Sequence, residues 1–129
     1  MFVDADDWLE NDCIENFVNA ANNHPDTDFI FSKINIINEK SITQNNNLIK
    51  NNQFIDSNTM VKNVFINHNS TLTCVDVVLE KFYKINFLKK NNNIFFNIEL
   101  KSGEDIPFSL ECIFNAKNIF YLNIPTYNY

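Results

Sequence analysis

The residues that could do chemistry fall into two clusters about a hundred positions apart. Asp4, Asp6 and Asp7 put three carboxylates within four residues, directly after the apolar Met1-Phe2-Val3. Read as the end of a buried strand, this is where α/β proteins gather their ligand sites. Such carboxylates repel one another. A hard divalent cation relieves the repulsion, because Mg²⁺ or Mn²⁺ prefers oxygen ligands and completes its shell with water or a diphosphate. The same residues also suit a solvated acidic turn before a helix, where the helix dipole favours negative charge. The second cluster, Gly103-Glu104-Asp105, contains the only glycine of the chain, which indicates an unusual backbone angle or a close approach. Asp105 is a candidate general base at the mouth of a pocket, and it equally suits the N-cap of a following helix. Trp8, the sole tryptophan, stacks on a sugar ring or packs beside the acidic turn.

Other chemistries are excluded or open on the same residues. With one glycine there is no Gly-rich phosphate loop of either the P-loop or the dinucleotide type. An EF-hand loop opening at Asp4 would have Asp6 and Glu15 in place, but Trp8 stands at a ligand position and Leu9 replaces the obligatory glycine. A phosphotransferase of the haloacid dehalogenase type also begins strand-Asp-x-Asp and stays as an alternative, although Trp8 stands where a small hydroxyl or aliphatic residue is expected. His24 and His68 read as loop residues. Ser and Thr form no nucleophile elbow, and Cys13, Cys74 and Cys112 are too far apart for a CxxC zinc site and read as buried reduced thiols.

The elements that must hold these clusters follow from periodicity. Ile14, Phe17, Val18 and Ala21 lie on one helical face, with Asp12 and Glu15 spaced as a capping box, and that helix ends near Asn22-Asn23-His24-Pro25. Phe29-Ile30-Phe31, then Ile34 and Ile36, predict a strand. Residues 38–58 read as a loop or ragged hairpin anchored by Leu48, Ile49, Phe54 and Ile55. A short helix is expected over Thr59–Asn67, and an apolar element of undecided type over Leu72–Leu79. A strand is expected over Ile94–Ile98. A helix then opens at the second cluster, with Pro107 in its first turn and Ile106, Leu110, Ile113 and Phe114 on one face, followed by a strand over Ile119–Ile124. Alternating helices and strands imply one α/β sandwich spanning residues 1–129. Thirteen Phe and 16 Ile supply its core, while 25 Asn reflect an A- and T-rich coding bias. The net charge is −6 and every basic residue is Lys, so a nucleic-acid groove is not expected. No run of about 18 apolar residues and no signal-peptide layout is seen, which predicts a soluble, unexported chain.

Taken together, the two clusters resemble the family-2 glycosyltransferases of GT-A fold. Phe2-Val3-Asp4-Ala5-Asp6-Asp7-Trp8-Leu9 is similar to the DxD segment of that family. Lys81-Phe82-Tyr83-Lys84, Phe87-Leu88 and Gly103-Glu104-Asp105-Ile106-Pro107-Phe108 resemble its middle block and Glu-Asp motif. Ala116-Lys117-Asn118-Ile119-Phe120-Tyr121-Leu122 and Pro125-Thr126-Tyr127-Asn128-Tyr129 resemble the strand and Pro-x-Tyr-x-Tyr segment that follow. The resemblance implies transfer of a sugar from a nucleotide-diphosphate donor to an acceptor hydroxyl with inversion, in surface polysaccharide or lipopolysaccharide synthesis. It implies that Asp4 and Asp6 engage a divalent metal, Mn²⁺ or Mg²⁺, and that they bind the donor together with Asp7. Asp105 would be the base, and Glu104 and Trp8 would line the acceptor side. The implied location is the cytoplasm, at the inner face of the cytoplasmic membrane, with a glycan or lipid-linked acceptor. The nucleotide-binding βαβ half that precedes the DxD segment in the family has no counterpart here, so the chain reads as the C-terminal half of a catalytic domain. The rival expectation is a catalytically silent module that associates through an exposed sheet edge.

Overall fold

Two runs rich in β-branched and aromatic residues, Phe29–Asn38 and Ile119–Asn128, form the long paired strands at the centre of the sheet. The computed structural model describes residues 1–39, 41–44, 49, 51–66, 78–90 and 94–129. In chain order the elements are β1 (Trp8–Leu9), α1 (Cys13–Asn23), β2 (Phe29–Asn38), β3 (Ser41–Gln44), β4 (Gln53–Ile55), α2 (Ser57–Ile66), β5 (Lys81–Tyr83), α3 (Ile85–Lys90), α4 (Asp105–Asn115) and β6 (Ile119–Asn128). The strand order is β1-β6-β2-β3, with β4 also pairing β6 and β5 also pairing β2. β2 and β6 run parallel, and the other pairings are antiparallel. Among the described residues no helix is long and apolar enough to cross a membrane.

Both faces of the central pair are covered, which explains why its residues are apolar without alternation. Ile30, Phe120 and Leu122 pack on Cys13, Phe17 and Ala20 of α1. Their neighbours Phe29, Phe31, Ile119 and Tyr121 point the other way, into a larger core with Met60 of α2 and Phe108, Cys112 and Ile113 of α4. Asp28 clamps the two strands at their start: its Oδ2 accepts the backbone N–H of Lys117 at 2.7 Å and of Asn118 at 3.0 Å. Further along, the register slips between Ser32 and Lys33 and again between Lys33 and Ile34, which sets Tyr127 opposite Ile34. Asp56 caps α2 by accepting the Thr59 N–H at 2.9 Å.

The α/β layering matches the sequence expectation, but several local expectations need correction. Met1-Phe2-Val3 is not a strand; the first strand is Trp8–Leu9, paired to the end of β6. Ile94–Ile98 is not a strand either, and Ile98 is 96% exposed. Periodicity placed the buried helix faces only in part: in α1, Phe17 is buried and Ala21 packs on the core as expected, but Cys13 and Ala20 are buried too while Ile14 and Val18 face outward. α4 buries Ile113 as expected, together with Phe108, Ser109 and Cys112, while Ile106 and Phe114 face outward. Asp12 sits at the N-cap of α1 without a side-chain capping bond, so the capping box does not form. α3 was not foreseen from periodicity, whereas α2 falls where expected; within residues 38–58, read as a loop or ragged hairpin, β3 pairs with β2 and β4 with β6. Cys13 and Cys112 are buried free thiols. Cys74, His68 and residues 72–77 of the expected Leu72–Leu79 element lie outside the described residues.

Candidate functional site

The acidic turn is fastened by a tyrosine 120 positions away from Asp7. Tyr127, on β6 and fully buried, accepts the backbone N–H of Asp4 at 3.0 Å through its hydroxyl oxygen. The same hydroxyl donates to Oδ2 of Asp7 at 2.6 Å, a charge-assisted bond. Within the turn, the Asp7 N–H donates to the Asp4 carbonyl at 3.3 Å. Burial, followed by the bond to Asp7, pushes the Tyr127 hydroxyl well above the usual tyrosine range, so it remains a donor at all ordinary pH values. The turn thereby commits Asp7 to its own architecture and leaves the Asp4 and Asp6 side chains exposed.

Aromatic packing brings the second cluster to the first. Phe2 lies two residues before Asp4, and Phe108 three residues after Asp105; their rings meet edge to face with centroids 5.6 Å apart. Phe2 also meets Phe96 at 5.1 Å and Tyr83 at 6.1 Å, and Phe96 stacks on Phe108 at 4.4 Å. Each such pair contributes about 0.5 to 1.5 kcal/mol beyond the area it buries, enough collectively to hold an N-terminal segment that has no strand of its own. The result is a cleft of about 560 Å³ lined by Phe2, Val3 and Asp4, by Val78, Leu79 and Phe96, and by the segment from Lys101 to Asp105.

Asp4, Glu104 and Asp105 therefore share one cleft. Asp6 is exposed on the same turn but does not line it, and Trp8, 51% exposed, is held in β1 opposite Asn128. Glu104, not Asp105, takes the N-cap position of α4, and it makes no side-chain capping bond; Asp105 is the first helical residue and is half-buried. The N-cap reading of Asp105 is thus replaced by a carboxylate standing at the positive end of α4 and at the cleft wall. Gly103 adopts φ +71°, and a Cβ added there would meet nothing within 4 Å, so the glycine serves the backbone angle and not a close approach. His24 is half-buried against Phe120, 4.0 Å between ring centroids, away from the cleft residues.

Behind the cleft, a buried ion pair stiffens the wall. Lys81 Nζ donates to Glu80 Oε1 at 2.9 Å, and both side chains are 1% exposed. Glu80 has φ 47°, unusual for a residue with a Cβ, and its carbonyl accepts the Ser32 N–H at 3.2 Å. Burial raises the Tyr83 hydroxyl far above its ordinary range and pushes the Cys112 thiol up to about 12, so among the described residues that pair is the only buried charge there. Tyr127 and Lys101 were given no role from sequence. The only signal for the first was its place in the Pro-x-Tyr-x-Tyr segment, and for the second a lysine two residues before the single glycine.

No protein-family model and no curated protein matches the chain. Solved structures do match. The crystal structure of Staphylococcus aureus TarS 1–349 in complex with UDP-GlcNAc superposes with a TM-score of 0.72 over 100% of this chain at 24% identity, covering 33% of that chain. TarS 1–349 in complex with UDP gives 0.73 over 100% at 24% identity and 34% of its length, and TarS 1–349 alone gives 0.73 over 99% at 25% identity. The chain spans about a third of TarS 1–349 and has the fold of that part of a glycosyltransferase.

Proposed function

We propose that this chain is part of a nucleotide-sugar glycosyltransferase of GT-A type, whose donor diphosphate and acceptor hydroxyl meet at the cleft between the acidic turn and the start of α4. The observation that carries the reading is the convergence of Asp4 and Asp105, 101 residues apart in sequence, on one cleft wall system. The structural likeness to TarS, crystallised with UDP-GlcNAc and with UDP, supports a nucleotide-sugar donor.

A divalent cation would be held by Asp4 and Asp6, whose carboxylates are exposed on the same turn; among the described residues no three His, Cys, Asp or Glu side chains gather at metal-binding spacing. That is the arrangement in which Mg²⁺ or Mn²⁺ keeps waters and phosphate oxygens in most of its shell. A cation bound there would offset the charge that develops on the departing diphosphate. The chain's own residues do the rest. Asp105 accepts the proton of the acceptor hydroxyl as that oxygen attacks the anomeric carbon, while the bond from carbon to diphosphate oxygen breaks and the diphosphate leaves with the electron pair. Attack from the face opposite the leaving group inverts the anomeric centre. Glu104, exposed beside Asp105, and Trp8 would contact the acceptor. Asp7 serves the donor by holding the turn through Tyr127. The acceptor would be a glycan or lipid-linked glycan of surface polysaccharide synthesis, handled on the cytoplasmic side.

Calorimetric titration of Mn²⁺ with UDP into the purified chain tests this. Binding that disappears in Asp4→Ala and Asp6→Ala but survives in Asp105→Asn supports the assignment, because Asp105 is placed on the acceptor proton and not on the diphosphate. An absence of binding would favour the rival reading, a silent module that lacks a working donor site.

A further inference from the structure

Charge and apolar exposure are both unevenly distributed, and they coincide. Residues 84–101 carry four lysines and one glutamate, a net charge of +3 in a chain of net −6, so the remaining residues carry −9. The same stretch exposes large apolar side chains: Ile85 is 60% exposed, Phe95 70%, Ile98 96% and Leu100 42%. A chain that buries Phe87 and Ile94 to 5% and 1% in this region has a core available, so those outward residues are not a failure to pack.

The geometry brings two of them, Ile85 and Phe95, together beside α3. On one flank, Ile85, Leu88, Phe95 and Phe96 line an apolar groove of about 390 Å³ with Lys89 at its rim. On the other flank Lys90 shares a small polar pocket with Lys84 and Lys117. Lys84 donates to the Pro25 carbonyl, and the Asp28 carboxylate in that pocket is engaged by the backbone N–H groups of Lys117 and Asn118. Glu99 is the one acidic residue of the segment. The groove and the candidate active-site cleft share Phe2 and Phe96 as a common wall, with Lys101 on the cleft side.

We propose that α3 and the segment 94–101 form a docking face for an anionic lipid bilayer. Ile85, Phe95 and Ile98 would enter the headgroup boundary while Lys89, Lys90 and Lys101 meet lipid phosphates, the division of labour of an interfacial amphipathic element. A net positive charge in this stretch, with the rest of the chain at net −9, selects an anionic surface and orients the molecule on it, since the remainder is repelled on balance. Docking by this face sets the cleft beside the bilayer, where a membrane-borne acceptor would be presented. The inference is independent of the donor site and fails or holds separately from it.

The test is co-sedimentation of the full chain with phosphatidylcholine vesicles and with vesicles of equal parts phosphatidylcholine and phosphatidylglycerol. Binding is expected to the mixed vesicles only, and to weaken with added salt. A lysine near an anionic surface is worth about fivefold in partitioning, so Lys89→Glu with Lys90→Glu should weaken binding by more than about tenfold. Ile85→Asp with Phe95→Asp should weaken it comparably. All four side chains are exposed, and circular dichroism would verify that the variants keep the fold. Equal binding to neutral vesicles, or binding unchanged in both double variants, overturns the proposal. So does an absence of vesicle binding together with self-association that the Ile85 and Phe95 variants abolish, which would assign the face to a second copy of the chain.

Discussion

Replacing Tyr127 with phenylalanine removes one oxygen atom and both bonds that tie the acidic turn to β6. The hydroxyl accepts the Asp4 N–H at 3.0 Å and donates to the Asp7 carboxylate at 2.6 Å. A neutral hydrogen bond contributes about 0.5 to 1.5 kcal/mol net and one to a charged group about 1.5 to 3 kcal/mol. Asp7 is half-buried and can recover water, which places the expected loss for Tyr127→Phe near the lower end of their sum, about 2 kcal/mol. The ring itself stays, so no cavity forms in the core. Urea unfolding should show a lower midpoint with an unchanged slope, because the area exposed on unfolding is the same. The loss is concentrated in residues 4–7, so affinity for UDP with Mn²⁺ should fall by about tenfold, which corresponds to about 1.4 kcal/mol. An unfolding midpoint equal to that of the parent chain would refute the hydrogen-bond argument. A lowered midpoint with unaltered UDP affinity would show that the hydroxyl stabilises the fold without positioning the site.

Gly103→Ala should destabilise the chain by about 1 to 2 kcal/mol from backbone conformation alone, since the φ of +71° disfavours a Cβ that otherwise has room; denaturant unfolding would measure it, and a neutral result would rule out strain there. Lys81→Met removes the 2.9 Å ion pair from the buried Glu80 carboxylate and should cost about 3 to 5 kcal/mol, read as a large drop in thermal midpoint. Raising the pH should also destabilise the protein. Cys112 is pushed up from 9.0 to about 12 on folding, so above about pH 9 the unfolded chain releases a proton that the folded chain keeps. Stability then declines by up to about 1.4 kcal/mol per pH unit until the folded thiol itself ionises. Tyr83 and Tyr127, also raised, act in the same direction at higher pH. A Cys112→Ala variant should show a shallower decline between pH 9 and 10, and an identical profile would count against the assignment.

Composition and short-range pattern were sufficient for the elements whose apolar runs are long or whose punctuation is chemical. Phe29-Ile30-Phe31 and Ile119–Ile124 read as strands because both faces of the central pair are covered, and the helix after Gly103 read correctly because glycine and proline mark its start. The faces of α1 and α4 were legible only in part: Phe17 and Ile113 are buried as read, but Ile14 and Phe114 are as hydrophobic as the Cys13 and Cys112 that are buried beside them, and only the packing of the whole core decides between them. The expected strands at Met1-Phe2-Val3 and Ile94–Ile98 failed for a related reason. Their apolar residues are engaged through aromatic rings, Phe2 and Phe96 against Phe108, and not through a backbone ladder.

The candidate site divides in the same way. Which residues carry chemistry was visible in the sequence, since carboxylates clustered within a few positions and a solitary glycine are unusual whatever the fold. Their meeting was not visible, because it depends on contacts between residues about a hundred positions apart: Phe2 on Phe108 and the Tyr127 hydroxyl on the turn. Side-chain type is a local property, whereas the pairing of distant rings and the seating of one hydroxyl are set by packing of the whole core, and only the tertiary structure decided which of Asp4, Asp6, Asp7, Glu104 and Asp105 share a cleft.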